Sequence, residues 1–382
     1  MSKEKPIYLD YAATTPVDKR VLDEMLPYFM EEYGNAHSRT HAYGWQAEEA
    51  VKKARLQVAD LIHAEPEEII FTSGATESIN WALKGIFESH AAKGHHIITQ
   101  KTEHKAVLDT CAYLECKGAQ ITYLDVDNNG LIDLDDLKAA ITDQTILVAI
   151  MYGNNETGVI QPVSEIGQIC RSKEVLFFCD ATQAVGKVAV NVAEAQIDLL
   201  ACSGHKMHGP KGVGALYIRR TFPRIKVTPL FHGGGHEKGF RSGTLNVPGI
   251  VGFGKACELA KKEFIEKYKT VTLEREKLEK ELLSIEGAYI NGIGAPRLPH
   301  IISVGFERID GEALILQIRD ELAVGIGSAC STNSIEVSHV IKEMNEEEER
   351  AGESLRLSCV FSEFHKIQPV LSKTIKTLKS YN

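Results

Sequence analysis

The chain has 382 residues, 43% hydrophobic and 25% charged, enough for a sizeable core and for one large domain with a smaller companion. Its 52 acidic and 43 basic side chains leave a net charge of −9, which argues against a general nucleic-acid-binding surface. No apolar run is long enough to span a membrane, and the opening Met1–Pro6 segment lacks the apolar core of a signal peptide, so a cytoplasmic protein is expected.

The first predicted strand covers residues 68–71 and leads into a helix over 77–86. Residues 96–99 read as strand, 105–117 as helix and 120–124 as strand. A continuous apolar strand follows over 145–151, then a helix over 163–173 and a strand over 175–180. Another apolar run, 197–202, leads into Ser203-Gly204-His205-Lys206 and a glycine-rich turn, 209–214. Continuous apolar strands separated by amphipathic helices predict a mostly parallel sheet covered on both faces. Residues 251–285 form a long charged helix that leads to strands at 301–304 and 355–358 of a smaller α+β domain. The acidic run 345–350 reads as a solvated helix start or loop.

Two segments imitate other chemistry. Asp125 to Gly130, with Asp136 at the twelfth position, has the look of a calcium loop, but a strand precedes it where a helix is needed and the terminal Glu is missing. It reads as an Asx/Gly turn. The glycines of 209–214 do not have dinucleotide-binding spacing. The 8 cysteines include no Cys-x-x-Cys pair, so neither a structural zinc site nor a disulfide scaffold is expected.

Several polar residues fall just after predicted strands. Lys206 stands beside Ser203 and His205 at the end of a buried strand. Taken alone it fits a loop lysine; in company it fits a Schiff-base lysine for pyridoxal phosphate (PLP). That cofactor needs backbone N–H groups for its phosphate, a carboxylate for its ring nitrogen and a group over its ring face. Phe71 to Ser78 follows a strand and opens a helix, so Ala75 and Thr76 suit the phosphate; the segment fits equally a capping box with Ser73 at the N-cap. Asp180 ends a strand and suits the ring nitrogen, or else a helix N-cap. His104 suits the ring face.

With these motifs in order, the chain resembles the cysteine desulfurases of the class V aminotransferase group, the NifS/IscS-like enzymes. The resemblance runs over nearly the whole chain. It includes Tyr8 to Pro16, Tyr33 to Ser38, Thr102 to Leu108, Asn154 to Gly158, Asp180 to Gln183, Ser203 to Lys206, Gly233 to Glu237, Arg241 to Thr244 and Gly327 to Cys330. It implies PLP-dependent transferase fold type I, an α/β fold with a mostly parallel seven-stranded sheet. Residues 15–255 would form the large domain, and residues 1–14 with 256–382 the small one.

The resemblance also implies roles. Lys206 would carry PLP, Asp180 would pair with the ring nitrogen, Gln183 would contact the ring hydroxyl and His104 would stack on the ring. Ala75, Thr76, Ser203 and His205 would hold the phosphate, completed by Thr244 of a neighbouring subunit in a homodimer. Asn155 and Arg356, with Asn35, would grip the substrate carboxylate, for which a guanidinium offers a planar two-point hold. Cys330 matches the persulfide-forming nucleophile, and its surroundings over 325–334 are small and polar. L-cysteine would yield L-alanine, with the sulfur passed to a protein acceptor for iron–sulfur cluster assembly, tRNA thiolation or DNA phosphorothioate modification.

Departures also matter. Phe361 stands where housekeeping members carry a second arginine, Ala36 replaces a common proline, and the chain ends at Asn382, where those members continue. These features resemble the short desulfurases that serve DNA phosphorothioate modification. An aminotransferase or a selenocysteine lyase on the same fold is the competing reading, and a non-catalytic scaffold a more distant one.

Overall fold

The computed structural model describes residues 5–221, 223–325, 337–344, 349–359 and 364–380. Its centre is a seven-stranded sheet. The strands are β2 (Ile69–Thr72), β3 (His96–Gln100), β4 (Gln120–Leu124), β5 (Thr145–Ala149), β6 (Leu176–Asp180), β7 (Leu199–Ser203) and β8 (Gly214–Ile218), preceded in the chain by β1 (Ile7–Leu9). Their order is β2-β8-β7-β6-β5-β3-β4. Only β8 runs against its neighbours.

Strand side chains alternate between two apolar layers, as the two-residue period requires. Ile98, Val148, Phe177 and Leu200 pack with the helices Ala42–Ile62, Val163–Ser172 and Val247–Leu259. Ile97, Leu147, Phe178 and Leu199 pack with the helices Ala75–Ser89 and Lys105–Glu115. Because both faces are covered, β5, β7 and β8 are buried along their whole length.

The charged rod expected over 251–285 is the helix Val247–Leu259, one π turn at Ala260–Phe264, and the helix Ile265–Leu282. Its apolar side changes partner along the way: Val271 still belongs to the first layer, whereas Leu278 joins a third cluster. That cluster is built on an antiparallel sheet of β9 (Ala288–Ile290), β10 (Ile301–Phe306) and β12 (Ser354–Ser358). The chain's first strand, β1, pairs in parallel with β11 (Leu322–Val324), and Leu9 packs in the same cluster.

The segment that imitates a calcium loop is a turn: Asp127 Oδ1 accepts the N–H groups of Asn129 and Leu131, and Asp133 caps the helix Leu134–Ala140. Among the described residues no helix is long and apolar enough to cross a membrane.

Candidate active site

The parallel strands β2, β3, β5, β6 and β7 all end at one edge of the sheet, where α/β folds bind ligands. A cavity of about 550 Å³ opens there. Ala75, Thr76, His104, Asn155, Asp180, Gln183, Ser203, His205, Lys206 and Arg356 all line it.

One corner suits a phosphate. The helix Ala75–Ser89 begins after Gly74, which has φ 154°. Gly74, not Ser73, is the N-cap, and no side chain caps the helix. The capping-box reading fails because Glu77 reaches past the N-cap to the Ser73 N–H at 2.8 Å, and Arg241 holds it there with Nε at 2.9 Å. Uncapped N–H groups at a helix start favour an anion. Ser203 and His205 stand at the same corner; burial first, then Lys206, pushes the His205 pKa down to about 4, so it is a neutral hydrogen-bonding group. Space is tight behind this corner: a Cβ on Gly214 would lie 2.8 Å from Gly74 Cα and 2.5 Å from the Cys202 carbonyl oxygen.

Lys206 closes the short turn Gly204–Lys206 directly after β7. Its Nζ donates to the carbonyls of Ala12 at 2.5 Å and Ala13 at 2.8 Å. Asp180 is the last residue of β6, and a turn, not a helix, follows it: Oδ1 accepts the Thr182 N–H at 3.0 Å and the Thr182 hydroxyl at 2.5 Å. His104 caps the helix Lys105–Glu115 by accepting the Ala106 N–H on Nδ1 at 3.0 Å. Burial lowers its pKa, with Asp180 opposing and Lys206 adding to the effect. A neutral ring accepting on Nδ1 carries its proton on Nε2.

Arg356, on β12, forms the opposite wall. It is 4% exposed, its Nη2 lies 2.7 Å from Asp10 Oδ1, and its Nη1 donates to the Asn155 carbonyl at 3.1 Å. Its Nε has no hydrogen-bond partner among the described residues. The donor set suits a carboxylate.

Two expected residues that the structure describes, Asn35 and Thr244, do not line this cavity. Cys330 lies outside the described residues, but both ends of its segment are anchored at the site. Gly325 and Arg356 exchange backbone hydrogen bonds; the Ser338 hydroxyl donates to Glu156 at 2.5 Å, and His339 Nε2 donates to the Glu103 carbonyl at 3.0 Å. Asn35 is exposed and closes an Asx turn on the His37 N–H. Thr244 is exposed as well. Their chain neighbours Ala36, His37 and Leu245 line a second cavity of about 510 Å³, away from Lys206.

Sequence reasoning missed several supporting residues. Asp10 lay inside a quoted motif but had no assigned role. Glu103, between Thr102 and His104, is fully buried, accepts the Met151 N–H at 2.6 Å and has its pKa raised well above the carboxylate range by burial. Lys187 and His300 are buried next to Gln183. Among the described residues no group of three or more His, Cys, Asp or Glu is placed to hold a metal ion.

The uncapped helix start, the strand-end carboxylate and the strand-end lysine are the features a PLP-binding fold needs. The chain belongs to the aminotransferase class-V family, whose model matches residues 7–364. Within it, the chain belongs with the cysteine desulfurases. It is 52% identical to the cysteine desulfurase IscS of Neisseria meningitidis serogroup C / serotype 2a, over 94% of this chain and 88% of that protein. Among solved structures it is similar to a NifS-like protein, with a TM-score of 0.89, 39% identity, and coverage of 98% of this chain and 100% of that one. It is also similar to SspA in complex with cysteine, with a TM-score of 0.82, 36% identity, and coverage of 93% and 98%.

Proposed function

We propose that this protein is a PLP-dependent cysteine desulfurase that converts L-cysteine to L-alanine and keeps the sulfur as a persulfide on Cys330. The observation that carries the reading is the convergence of Lys206, Asp180, His104 and Arg356 on one cavity at the strand ends. PLP, when bound, supplies an electron sink for the charge left at the substrate Cα. Asp180 would face its ring nitrogen, His104 its ring face, and the helix start at Ala75 and Thr76, with Ser203 and His205, its phosphate. Gln183 would meet the ring oxygen.

The chain's own groups do the rest. Arg356, with Asn155 on the same cavity lining, would hold the substrate carboxylate and so orient Cα toward Lys206. Lys206 would hold the cofactor, and its free amine would take the substrate Cα proton. The Cys330 thiolate attacks the substrate sulfur. A sulfur–sulfur bond forms, the carbon–sulfur bond breaks, and the carbon fragment leaves as alanine after protonation. The persulfide then passes its outer sulfur to a protein acceptor.

We further read the active unit as a homodimer. Thr244 and Asn35 are exposed near one another's segments and outside their own chain's cavity, a position from which they would complete the site of a second copy. The supporting experiment is reconstitution with PLP followed by addition of L-cysteine and a reductant. Visible cofactor absorption, its loss in Lys206→Ala, and release of L-alanine are expected. A PLP-loaded protein that releases no alanine from L-cysteine overturns the reading.

A further inference from the structure

Gln183 is 5% exposed and lines the cavity. Its side-chain nitrogen lies 2.9 Å from the Ala12 carbonyl oxygen, the same oxygen that takes the Lys206 ammonium. A carbonyl oxygen can only accept, so the amide nitrogen must be the atom facing Ala12. The amide oxygen is thereby turned to His300, whose Nε2 lies 3.4 Å away.

His300 is 1% exposed and precedes β10, in the sheet that carries Arg356. The Cys359 N–H donates to its carbonyl at 3.2 Å, and the Tyr268 ring packs edge-on against the imidazole at 5.9 Å. Its Nδ1 has no hydrogen-bond partner among the described residues. Burial, and then the facing basic groups Lys187, Lys206, Arg356 and Arg275, hold its pKa well below the ordinary histidine value. A neutral imidazole has one N–H. Facing the amide oxygen of Gln183, that N–H belongs on Nε2.

We propose that His300 is a positioning residue: it locks the Gln183 amide in the orientation that presents an N–H donor to the cavity, where the PLP ring oxygen would be received. The inference rests on the desulfurase reading. One amide hydrogen goes to Ala12; the second is the donor that the lock preserves. Were the amide free to turn over, its oxygen would face an electron-rich ring oxygen and repel it. His300 also ties the sheet bearing the substrate-binding arginine to the residue beside the cofactor ring.

The test is the pH dependence of the visible absorption of bound PLP in wild type, His300→Phe and His300→Gln. The less protonated form of the bound cofactor carries more negative charge, so it loses most when the donor is lost. His300→Phe is expected to raise the midpoint by about one pH unit, a tenfold change in proton affinity. His300→Gln, which can still donate to the amide oxygen, is expected to restore it. An unchanged midpoint in a PLP-loaded His300→Phe protein overturns the proposal. If that variant does not fold, nitrogen-15 spectra of histidine-labelled wild type decide: a proton on Nε2 is expected, and a proton on Nδ1 overturns the lock. Failure of wild type to take up PLP overturns the functional reading instead, and the nitrogen-15 spectrum still tests His300 by itself.

Discussion

Arg356 on β12 is held by Asp10, which follows β1, with Nη2 and Oδ1 2.7 Å apart. The pair spans 346 positions of sequence and joins the two ends of the chain at the cavity wall. Gly325 leaves no slack beside it: a Cβ there would lie 2.6 Å from Asp10 Oδ1 and 2.7 Å from Arg356 Nη2. In the proposed role the guanidinium is aimed before the substrate carboxylate arrives, which lowers the ordering cost of binding. Asp10→Asn is predicted to raise KM for L-cysteine about tenfold, equivalent to about 1.4 kcal/mol, with a smaller effect on kcat. Steady-state alanine release measures both.

The corner proposed to receive the phosphate is packed from behind by Gly214. Gly214 opens β8 against Gly74 and the Cys202 carbonyl. Gly214→Ala forces backbone apart and is predicted to cost about 1–3 kcal/mol of stability. It is also predicted to weaken PLP retention, because the displaced atoms belong to the helix start. Thermal melts of the apoprotein and PLP release during dialysis separate the two effects.

Glu237 tests how the segment carrying Arg241 and Thr244 is held. Its carboxylate is buried against Arg55, at 2.6 Å and 2.8 Å, and accepts the Phe71 N–H at 3.0 Å. Its own backbone sits in the left-handed region, at φ 51°. Arg55 and the Phe71 N–H would both lose an acceptor, so Glu237→Ala is predicted to cost about 1–3 kcal/mol. Denaturant unfolding of wild type and variant measures the difference.

Lys187 carries a pH signature. It is 2% exposed, and its Nζ donates to the Gln183 carbonyl at 3.2 Å. Burial, then Lys206, lowers its pKa well below the ordinary lysine value. The unfolded chain therefore binds a proton that the folded chain does not, and stability gains from rising pH until the unfolded lysine itself deprotonates near about 10.4. Lys187→Met is predicted to raise Tm at pH 7, and the gap between variant and wild type is predicted to shrink as pH approaches 10. Melts at the two pH values check both.

The sheet was legible where its strands carry a continuous apolar run, as at 146–149 and 176–179, because burial on both faces writes itself that way. β8 was not, since its first residue completes the glycine turn that reads as a loop. The pattern at 71–78 leaves a Ser73 capping box and a phosphate site equally open, because the Arg241 contact that draws Glu77 to the Ser73 N–H comes from 164 positions away. Lys206, Asp180, His104, Ala75 and Thr76 could be read from the pattern because each stands at or soon after a strand end, whereas Asn155, Gln183 and Arg356 came only through the resemblance. Asp10 and His300 could not be given roles, because what defines them is a partner 346 and 117 positions distant. The π turn inside the long helix left no mark on a uniformly charged pattern.

In the proposed reaction, sulfur leaves L-cysteine through Cys330. The direct measurement is alanine released from L-cysteine, with a reductant present, by PLP-loaded wild type and by PLP-loaded Cys330→Ala. Turnover in wild type that vanishes in the variant, with the cofactor absorption intact, is the predicted result. Turnover that survives the substitution would contradict it and leave the cavity to an enzyme that needs no cysteine nucleophile.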